Sequence, residues 1–269
     1  MTDFLQQMSE QSAQRAARSN NAFAAADFDR PLLPVKLQGF DIIAEIKDAS
    51  PSAGRIATSP RSRKQQAEDY IHGGAVAISV LTEPSKFAGD LAHLDEVSAL
   101  AAEFGVPTMR KDFLVEPSQI LEARAAGASG VLLIAAMLPD AKLEAMLDCA
   151  WEHSMFVLLE SFDANDLQRT SALLETARHL QQAEHAKFFA GVNTRNLRTL
   201  QVDPERLDAL SKMLPAGMIS VAESGLTQAE DAARSAAQGY GMALVGTALM
   251  QSDNPQELLS DMLAAGRGV

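Results

Sequence analysis

The chain of 269 residues has little of what several classes of protein need. It has one cysteine, Cys149, so an internal disulfide is excluded, and its five histidines are scattered, so no metal site is predicted. No apolar run approaches the roughly 18 residues that cross a bilayer, and the first residues lack the apolar core of a secretory signal. These absences predict a cytoplasmic protein without membrane segments or a metal site.

Basic residues are also few, because 23 lysines and arginines stand against 35 acidic residues, for a net charge of −12. This balance argues against nucleic acid or an anionic membrane as the main partner. Aromatic residues make up only 5% of the chain, while hydrophobic residues make up 47%. Such a composition is typical of helix-rich α/β proteins, and the length fits one large domain or two small ones.

One pattern recurs along the chain: a short apolar run, then turn residues, then an amphipathic segment. The runs lack strict polar alternation, as strands covered on both faces do. Eight such strands are predicted, at 40–47, 75–82, 106–112, 130–137, 155–161, 188–194, 218–224 and 242–247. Eight β–α units predict a closed (β/α)₈ TIM barrel, with a doubly wound open sheet as the competing architecture. The barrel is favoured because no G-x-G-x-x-G turn follows the first strand.

The segments between the runs have apolar residues at i, i+3 and i+4, which predicts helices. These helices fall at 62–74, 117–130, 140–154, 164–185, 203–217, 227–239 and 254–266. We expect a single domain, with a helical extension at 1–38 that caps or flanks a barrel at 39–269. All the histidines fall on predicted helices or loops and are expected at the surface, whereas Cys149 is expected in the core.

Charged and polar residues stand almost only in the last positions of the strand runs. They are Glu45, Lys47, Arg110, Lys111, Asp112, Glu160, Asn193, Glu223 and Ser224, with Arg195 just beyond. At any one strand a solvated charge is the simpler explanation. In a TIM barrel, however, the carboxyl ends of the strands form the active site, and an unpaired buried carboxylate costs several kcal/mol. The pattern therefore predicts a charged active-site mouth with acid/base pairs.

Two glycines mark the ends of the last two strands. Gly225 follows strand seven, Gly246 follows strand eight, and a short helix is expected to begin at Thr247. Each glycine alone could serve a plain turn. Together, after strands seven and eight, they predict a phosphate site, because backbone N–H groups bind phosphate there in many TIM barrels.

These motifs together resemble the indole-3-glycerol-phosphate synthase family. The matching stretches run in order from about residue 40 to 265: "AEIKDASPSAG" (44–54), "YIHGGAVAISVLTE" (70–83), "RKDF" (110–113), "EARAAGASGVLLIAAML" (122–138), "GVNTRNLRTL" (191–200), "AESGL" (222–226) and "VGTALM" (245–250). The resemblance implies ring closure of 1-(2-carboxyphenylamino)-1-deoxyribulose 5-phosphate to indole-3-glycerol phosphate, with loss of CO₂ and water and without a cofactor.

The resemblance also implies roles for individual residues. Lys111 would be the general acid of ring closure, Lys47 would contact the anthranilate carboxylate, and Glu160 would act in dehydration. The other implied site residues are Glu45, which would orient the lysines; Asn193 and Arg195, which would hold substrate; Glu223 and Ser224, which would line the pocket; Ser50, Gly225, Gly246 and Thr247, which would bind phosphate; and Phe87 in the loop after strand two. A lysine crowded by another cation in a partly dry site can have a lowered pKa, but the sequence does not give the pKa of either lysine.

Some positions depart from the family pattern. Phe162 stands where a histidine is usual, Asp48 and Ala53 where basic residues are usual, and no tyrosine lies near Ser118. A divergent paralogue acting on a modified anthranilate, or an inactive barrel that binds a small molecule, therefore remain alternatives. Phosphoribosylanthranilate isomerase is a weaker one, because it needs a Cys/Asp pair. The expected partner is a phosphorylated small molecule; other tryptophan-pathway enzymes are candidates, and a monomer or weak homodimer is expected.

Overall fold

The structure is a computed structural model that describes residues 4–19, 22–50, 54–55, 61–195, 197, 201–203 and 205–269. Of residues 50, 54 and 55 it describes the backbone alone. The side chain of Ser50 and the whole of Ala53 therefore lie outside the described residues. Within them, no helix has the length and apolar character that a membrane span needs.

Parallel strands close into a barrel in which β1 pairs with both β2 and β8. The strands are β1 (Asp41–Ile46), β2 (Ala77–Leu81), β3 (Thr108–Lys111), β4 (Gly130–Ile134), β5 (Phe156–Ser161), β6 (Phe188–Asn193), β7 (Ile219–Glu223) and β8 (Met242–Val245). Each lies inside one predicted run, so the predicted TIM barrel is confirmed and the open sheet is excluded. A short antiparallel pair, Ala49–Ser50 with Gly54–Arg55, follows β1.

Helices cover the outside of the barrel. They are α1 (Phe4–Arg18), α2 (Arg63–His72), α3 (Pro84–Phe87), α4 (Leu91–Glu103), α5 (Pro117–Ala125), α6 (Asp140–Glu152), α7 (Ala164–Leu173), α8 (Ala177–Glu184), α9 (Arg206–Ser211), α10 (Ala229–Ala237), α11 (Thr247–Gln251) and α12 (Pro255–Arg267), with 3₁₀ turns at Ala25–Phe28 and Ala135–Met137. Two differences from the prediction have local causes. Asp90 caps the unpredicted α4 by accepting from the Ala92 N–H, at 2.8 Å. Thr176 starts a new helix, which splits the predicted 164–185 segment into α7 and α8.

The apolar side chains of β1 pack on both faces of the strand, toward the helices and toward the barrel interior. Ile42, Ala44 and Ile46 pack outward against the helices, while Ile43 packs inside the barrel. Because side chains two apart share a face, Glu45 follows Ile43 on the inner face. The same step, from an apolar residue in the barrel interior to a charged one, occurs at Met109–Lys111, Leu158–Glu160 and Val221–Glu223. The barrel thus has an apolar floor and a charged mouth.

The helix α1 packs over the carboxyl end of β3. Phe4 makes an edge contact with Phe113, with ring centroids 5.9 Å apart, and Met8 is fully buried. Ser12 Oγ accepts from Gln119 Nε2 at 2.8 Å, and Arg15 Nη2 lies 2.6 Å from Asp112 Oδ1. The extension therefore caps the end of the barrel at which Lys111 lies.

Removing the Arg15 guanidinium should loosen this cap. We expect Arg15→Gln to lower the free energy of unfolding by about 1–2 kcal/mol, a value between those of exposed and buried charged hydrogen bonds. The loss is partial because Asp112 still accepts from Arg110 and Thr82. Urea unfolding would measure it. Arg18→Gln, at an exposed position of the same helix, should have no effect; equal losses in both variants would contradict the role of Arg15.

One histidine is not at the surface, so the prediction for His179 was wrong. It is 3% exposed, and its ring lies 5.1 Å from Trp151 and 6.4 Å from Phe188 between centroids. Its two ring nitrogens contact Leu173 O at 2.9 Å and Glu144 Oε2 at 3.1 Å. Cys149 is only partly buried; burial, with the charge of Glu152, raises the pKa of its thiol to about 11.

Candidate active site

A cavity of about 570 Å³ opens at the carboxyl ends of the strands. It is lined by every predicted site residue whose side chain the structure describes: Glu45, Lys47, Phe87, Lys111, Glu160, Asn193, Arg195, Glu223, Ser224, Gly225, Gly246 and Thr247. Strands from all around the barrel contribute them, because each strand ends at the same rim. The residues of this list therefore lie together around one cavity. The side chain of Ser50 lies outside the described residues.

Lys111 stands at the centre of the charged mouth. Its Nζ lies 3.0 Å from Glu160 Oε2 and 3.3 Å from Glu223 Oε2. The lysine side chain is 14% exposed, while each glutamate side chain is only 1% exposed. One ammonium is therefore shared between two buried carboxylates and faces the open cavity.

The pKa of Lys111, which the sequence did not give, is raised. Burial by itself would lower its pKa, but the charges of Glu160, Glu223 and Glu45 outweigh burial. A lowered pKa would require nearby cations, whereas the nearest charged partners of Lys111 are carboxylates. Before substrate binds, Lys111 is therefore a firmly held cation.

Lys47 and Glu45 form a second ion pair in the same cavity, with Lys47 Nζ donating to Glu45 Oε1. A side chain at Gly246 would leave no room for this carboxylate, because an added Cβ would lie 2.3 Å from Glu45 Oε1. Gly246 therefore has a role that the prediction did not give it. Its lack of a side chain leaves room for the Glu45 carboxylate. Gly246 also lies at the predicted phosphate site.

Gly191 is a functional position that the sequence reasoning missed. A Cβ at Gly191 would lie 2.1 Å from Glu223 Oε1 and 3.2 Å from Leu158 Cδ1. The Glu223 carboxylate occupies the space above this glycine, and Gly191 pairs in register with Glu160 on β5. The available signal was a glycine inside a strand, which often marks a close approach of other groups.

Apolar side chains also line the cavity, and the sequence reasoning missed them. They are Leu81, Phe113, Leu132, Ile134 and Leu244, together with the predicted Phe87. Phe87 and Phe113 lie side by side, with ring centroids 6.1 Å apart. Alternation along β2, β4 and β8 was the usable signal, since these positions share the inner face of the barrel. A flat apolar group fits against the Phe87 and Phe113 rings.

The end of β6 is held by main-chain and side-chain contacts. The Arg195 N–H donates to Asn193 Oδ1 at 2.9 Å. Arg206 on α9 donates to the carbonyls of Asn193 and Thr194, each at 3.2 Å. Arg206, which the sequence reasoning did not single out, therefore fixes the backbone that carries Asn193 and Arg195 into the cavity.

The chain turns tightly after β7, the strand that pairs with β6. Ser224 and Gly225 both have positive φ, of 66° and 80°. A non-glycine residue in this region is strained, and such strain often marks a functional site. Thr247 begins α11, as predicted. The hydroxyls of Ser224 and Thr247 and the two glycines give this part of the cavity small polar groups without a lysine.

Asp48, one of the departures from the family pattern, lies outside the cavity lining. Its Oδ2 accepts from Arg63 Nη2 on α2 at 2.8 Å, and His93 on α4 is close to both. The aspartate therefore ties the loop after β1 to the helix layer. Among the described residues, no group of His, Cys, Asp and Glu side chains has the arrangement of a metal site.

Comparison with known proteins assigns the family. The family model for indole-3-glycerol phosphate synthase matches residues 3–262. The chain belongs to the indole-3-glycerol phosphate synthase family. An indole-3-glycerol phosphate synthase of Nocardioides sp. is 40% identical over 87% of this chain and 85% of its own length. One from Mycolicibacterium gilvum is 37% identical over 94% and 86%, respectively.

Solved structures resemble the chain in fold alone. A thiamine phosphate pyrophosphorylase from Pyrococcus furiosus superimposes with a TM-score of 0.57 at 13% identity, over 85% of this chain and 96% of that one. An orotidine 5'-phosphate decarboxylase from Pyrococcus horikoshii gives 0.55 at 17% identity, over 85% and 100%. Both support the barrel.

Phe162 is the departure from the synthase pattern nearest to the charged mouth. It is 1% exposed and packs within the inner apolar cluster, while its N–H donates to Asp166 Oδ2 at 3.0 Å. The position where the synthase family usually has a histidine is thus a packing position here. Position 162 therefore provides no imidazole beside Glu160.

Proposed function

We propose that this chain is an indole-3-glycerol phosphate synthase, a carboxy-lyase that acts on 1-(2-carboxyphenylamino)-1-deoxyribulose 5-phosphate. The observation that carries the proposal is Lys111 held between Glu160 and Glu223 in the barrel mouth. A firmly protonated cation facing a cavity supplies the acid that a carbonyl carbon needs before an aromatic ring can attack it. Family membership gives the substrate.

In ring closure, the Lys111 ammonium donates a proton toward the substrate carbonyl oxygen. The aromatic carbon that bears the carboxylate attacks the carbonyl carbon, and the new C–C bond forms. The C–CO₂ bond then breaks, CO₂ leaves, and its electron pair restores the aromatic ring. Lys47 and Arg195, both in the cavity lining, hold the carboxylate until it leaves.

Loss of water completes the indole. The hydroxyl on the former carbonyl carbon takes a proton from Lys47 and leaves as water. The adjacent methylene carbon loses a proton to Glu160, and that C–H electron pair becomes the new C=C bond. Exchange with solvent then restores the protons of Lys111 and Lys47 and removes the one on Glu160. Glu45 keeps Lys47 in place through their ion pair. Asn193 lines the pocket beside these groups and holds the substrate.

Two parts of the cavity lining orient the substrate. We place the aromatic ring against Phe87, Phe113 and Leu132, and the phosphate at Gly225 and Thr247. An acidic chain can bind a phosphate there because backbone N–H groups and hydroxyls need no lysine. The isomerase alternative is disfavoured, because Cys149 lies on α6 and outside the cavity lining.

We also propose that residues 1–38 and the barrel at 39–269 form one domain. The support is the packing of α1 on β3, through Phe4 and Arg15. A cytoplasmic location, and a monomer or weak homodimer, are proposed from the composition.

The proposed function is tested by incubating the purified protein with the carboxyphenylamino-deoxyribulose phosphate and following indole fluorescence and CO₂ release together. We expect both signals with equal stoichiometry. Phosphoribosylanthranilate serves as the control substrate and should give neither. If a folded preparation gives no indole and no CO₂, the synthase assignment is wrong and a binding protein is favoured.

A further inference from the structure

Glu83 is a buried carboxylate that the proposed mechanism does not use. It follows β2, and its side chain is fully shielded from solvent. It lies outside the cavity lining, so it does not act by touching the substrate. A buried carboxylate is costly unless hydrogen bonds compensate for the lost water, so the contacts of Glu83 show what it is there to hold.

The Glu83 carboxylate holds the turn that follows it. Its Oε1 accepts from the Ser85 N–H at 2.9 Å and from Ser85 Oγ at 2.7 Å, and its Oε2 accepts from the Lys86 N–H at 2.7 Å. Both N–H groups belong to the first turn of α3, where no helical carbonyl is available to them. Both carboxylate oxygens therefore fix one short helix.

The same turn is closed by its backbone and packs tightly. The Gly89 N–H donates to Glu83 O at 2.9 Å, so residues 83–89 form a closed turn. A Cβ at Gly89 would lie 2.6 Å from Leu81 O, so the turn sits directly on the end of β2. Ala88 has a positive φ of 52°, which is strained for alanine. Such a conformation persists only where surrounding contacts impose it, and the hydrogen bonds of Glu83 are among them.

This turn brings an aromatic ring to the cavity. Phe87, the last residue of α3, lines the cavity, and its ring centroid lies 6.1 Å from that of Phe113. Arg15 on α1 lies 3.6 Å from Glu83 Oε1 and 2.6 Å from Asp112 Oδ1. Because Asp112 directly precedes Phe113, one arginine ties the turn that carries Phe87 to the strand end that carries Phe113.

We propose that Glu83 is a positioning residue that holds Phe87 beside Phe113 before the substrate binds, so that the aromatic face of the cavity is already formed. The position of Phe87 does not depend on the proposed function, whereas its benefit to an aromatic substrate rests on it. A preformed face avoids the conformational entropy that a mobile turn would lose on binding. If the turn held its binding position only about one tenth of the time, apparent affinity would fall about 10-fold.

¹⁹F NMR of the free protein tests the position of Phe87 without any substrate. Phenylalanine is replaced by 4-fluorophenylalanine, and the signal that Phe87→Leu removes is assigned to Phe87. In the wild type we expect one sharp signal, shifted from that of an exposed ring. Glu83→Gln should move this signal toward the exposed value, because an amide nitrogen cannot accept from the second N–H of the turn.

Two further variants make this test independent of how well Glu83→Gln folds. Glu83→Asp keeps both acceptor oxygens and should retain most of the shift. Ser85→Ala, at an exposed position, removes one of the three hydrogen bonds and should move the signal in the same direction by less. A Phe87 signal at the exposed value in the wild type, or one that stays in place in both Glu83→Gln and Ser85→Ala, overturns the proposal.

Kinetics test what the fixed ring does for the reaction. Glu83→Gln should lower kcat/KM about 10-fold through KM, with kcat little changed, because the bound substrate still meets Lys111. Glu83→Asp should restore most of this loss. Glu116→Gln is the matched control and should change neither quantity. Glu116 also stands directly before a helix that begins with proline, but it pairs with Lys142 and lies outside the cavity lining.

A double-mutant cycle shows whether Glu83 acts through Phe87. In a Phe87→Ala background, Glu83→Gln should add no further rise in KM, because the ring that it positions is already missing. A full additional rise in that background, or a fall of kcat with unchanged KM, overturns the positioning role. Failure of the proposed function would appear instead as no turnover by the wild type, and the ¹⁹F signals would still decide whether Glu83 holds Phe87.

Discussion

Lys111→Met is expected to lower kcat by about 10²–10⁴-fold, because the variant lacks the proton that activates the carbonyl for ring closure. Methionine keeps most of the side-chain volume, so packing against the cavity wall is retained. The variant leaves Glu160 and Glu223 without their shared ammonium. Without this cation, the buried Glu223 carboxylate binds a proton more readily.

This change also predicts a pH dependence of stability. Burial and the charge of Glu160 already raise the pKa of Glu223 in the folded protein, and the variant removes the opposing charge of Lys111, so this pKa lies still further above its unfolded value. Such a group does not lower the free energy of unfolding at a pH where it is protonated in both the folded and the unfolded protein. It lowers that free energy as the pH rises past its pKa in the unfolded protein. We therefore expect Lys111→Met to unfold at lower urea concentration than the wild type at pH 8, and to match it more closely near pH 4.

Single-turnover kinetics and urea unfolding at the two pH values would measure these effects. Lys142→Met is the matched control, since Lys142 pairs with one carboxylate, Glu116, outside the cavity. It should retain wild-type kcat. Near-normal activity of Lys111→Met would mean that another group is the acid of ring closure.

Gly191→Ala is expected to reduce kcat/KM by about 10²-fold with little loss of stability. The added methyl would lie 2.1 Å from Glu223 Oε1, so the carboxylate must move. A displacement of about 1 Å at a catalytic group can cost 10²-fold in rate. The fold should tolerate the change because the displaced atom is the end of a flexible side chain, and alanine loses less backbone entropy on folding than glycine.

Measured together, kcat/KM and the urea midpoint separate these two effects. Gly268→Ala is the control, since a Cβ there would have its nearest contact at 3.4 Å, an ordinary van der Waals distance. It should leave both quantities unchanged. If Gly191→Ala kept wild-type activity, Glu223 would not need its observed position. If it instead lowered stability and activity in proportion, the glycine would serve packing alone.

The architecture and most of the site were predictable because they depend on local patterns. Buried parallel strands need apolar side chains on both faces, and this produced eight recognisable runs. The position at which each run becomes charged marks its carboxyl end, so Lys111, Glu160 and Glu223 could be assigned to one rim before any coordinates. The break between α7 and α8 was missed because Thr176 stands inside a helical pattern and acts as a cap only when the helix ends before it.

The sequence by itself determined the barrel, the family and the set of residues at its mouth, since these follow from periodicity and from the order of motifs. Only the tertiary structure decided how those residues pair. Lys47 pairs with Glu45, whereas Lys111 lies between two carboxylates, which raise its pKa. The tertiary structure also placed Gly191 beneath Glu223 and Arg15 on Asp112. Pairing of charges depends on distances and burial between strands far apart in the chain, and no local pattern records them.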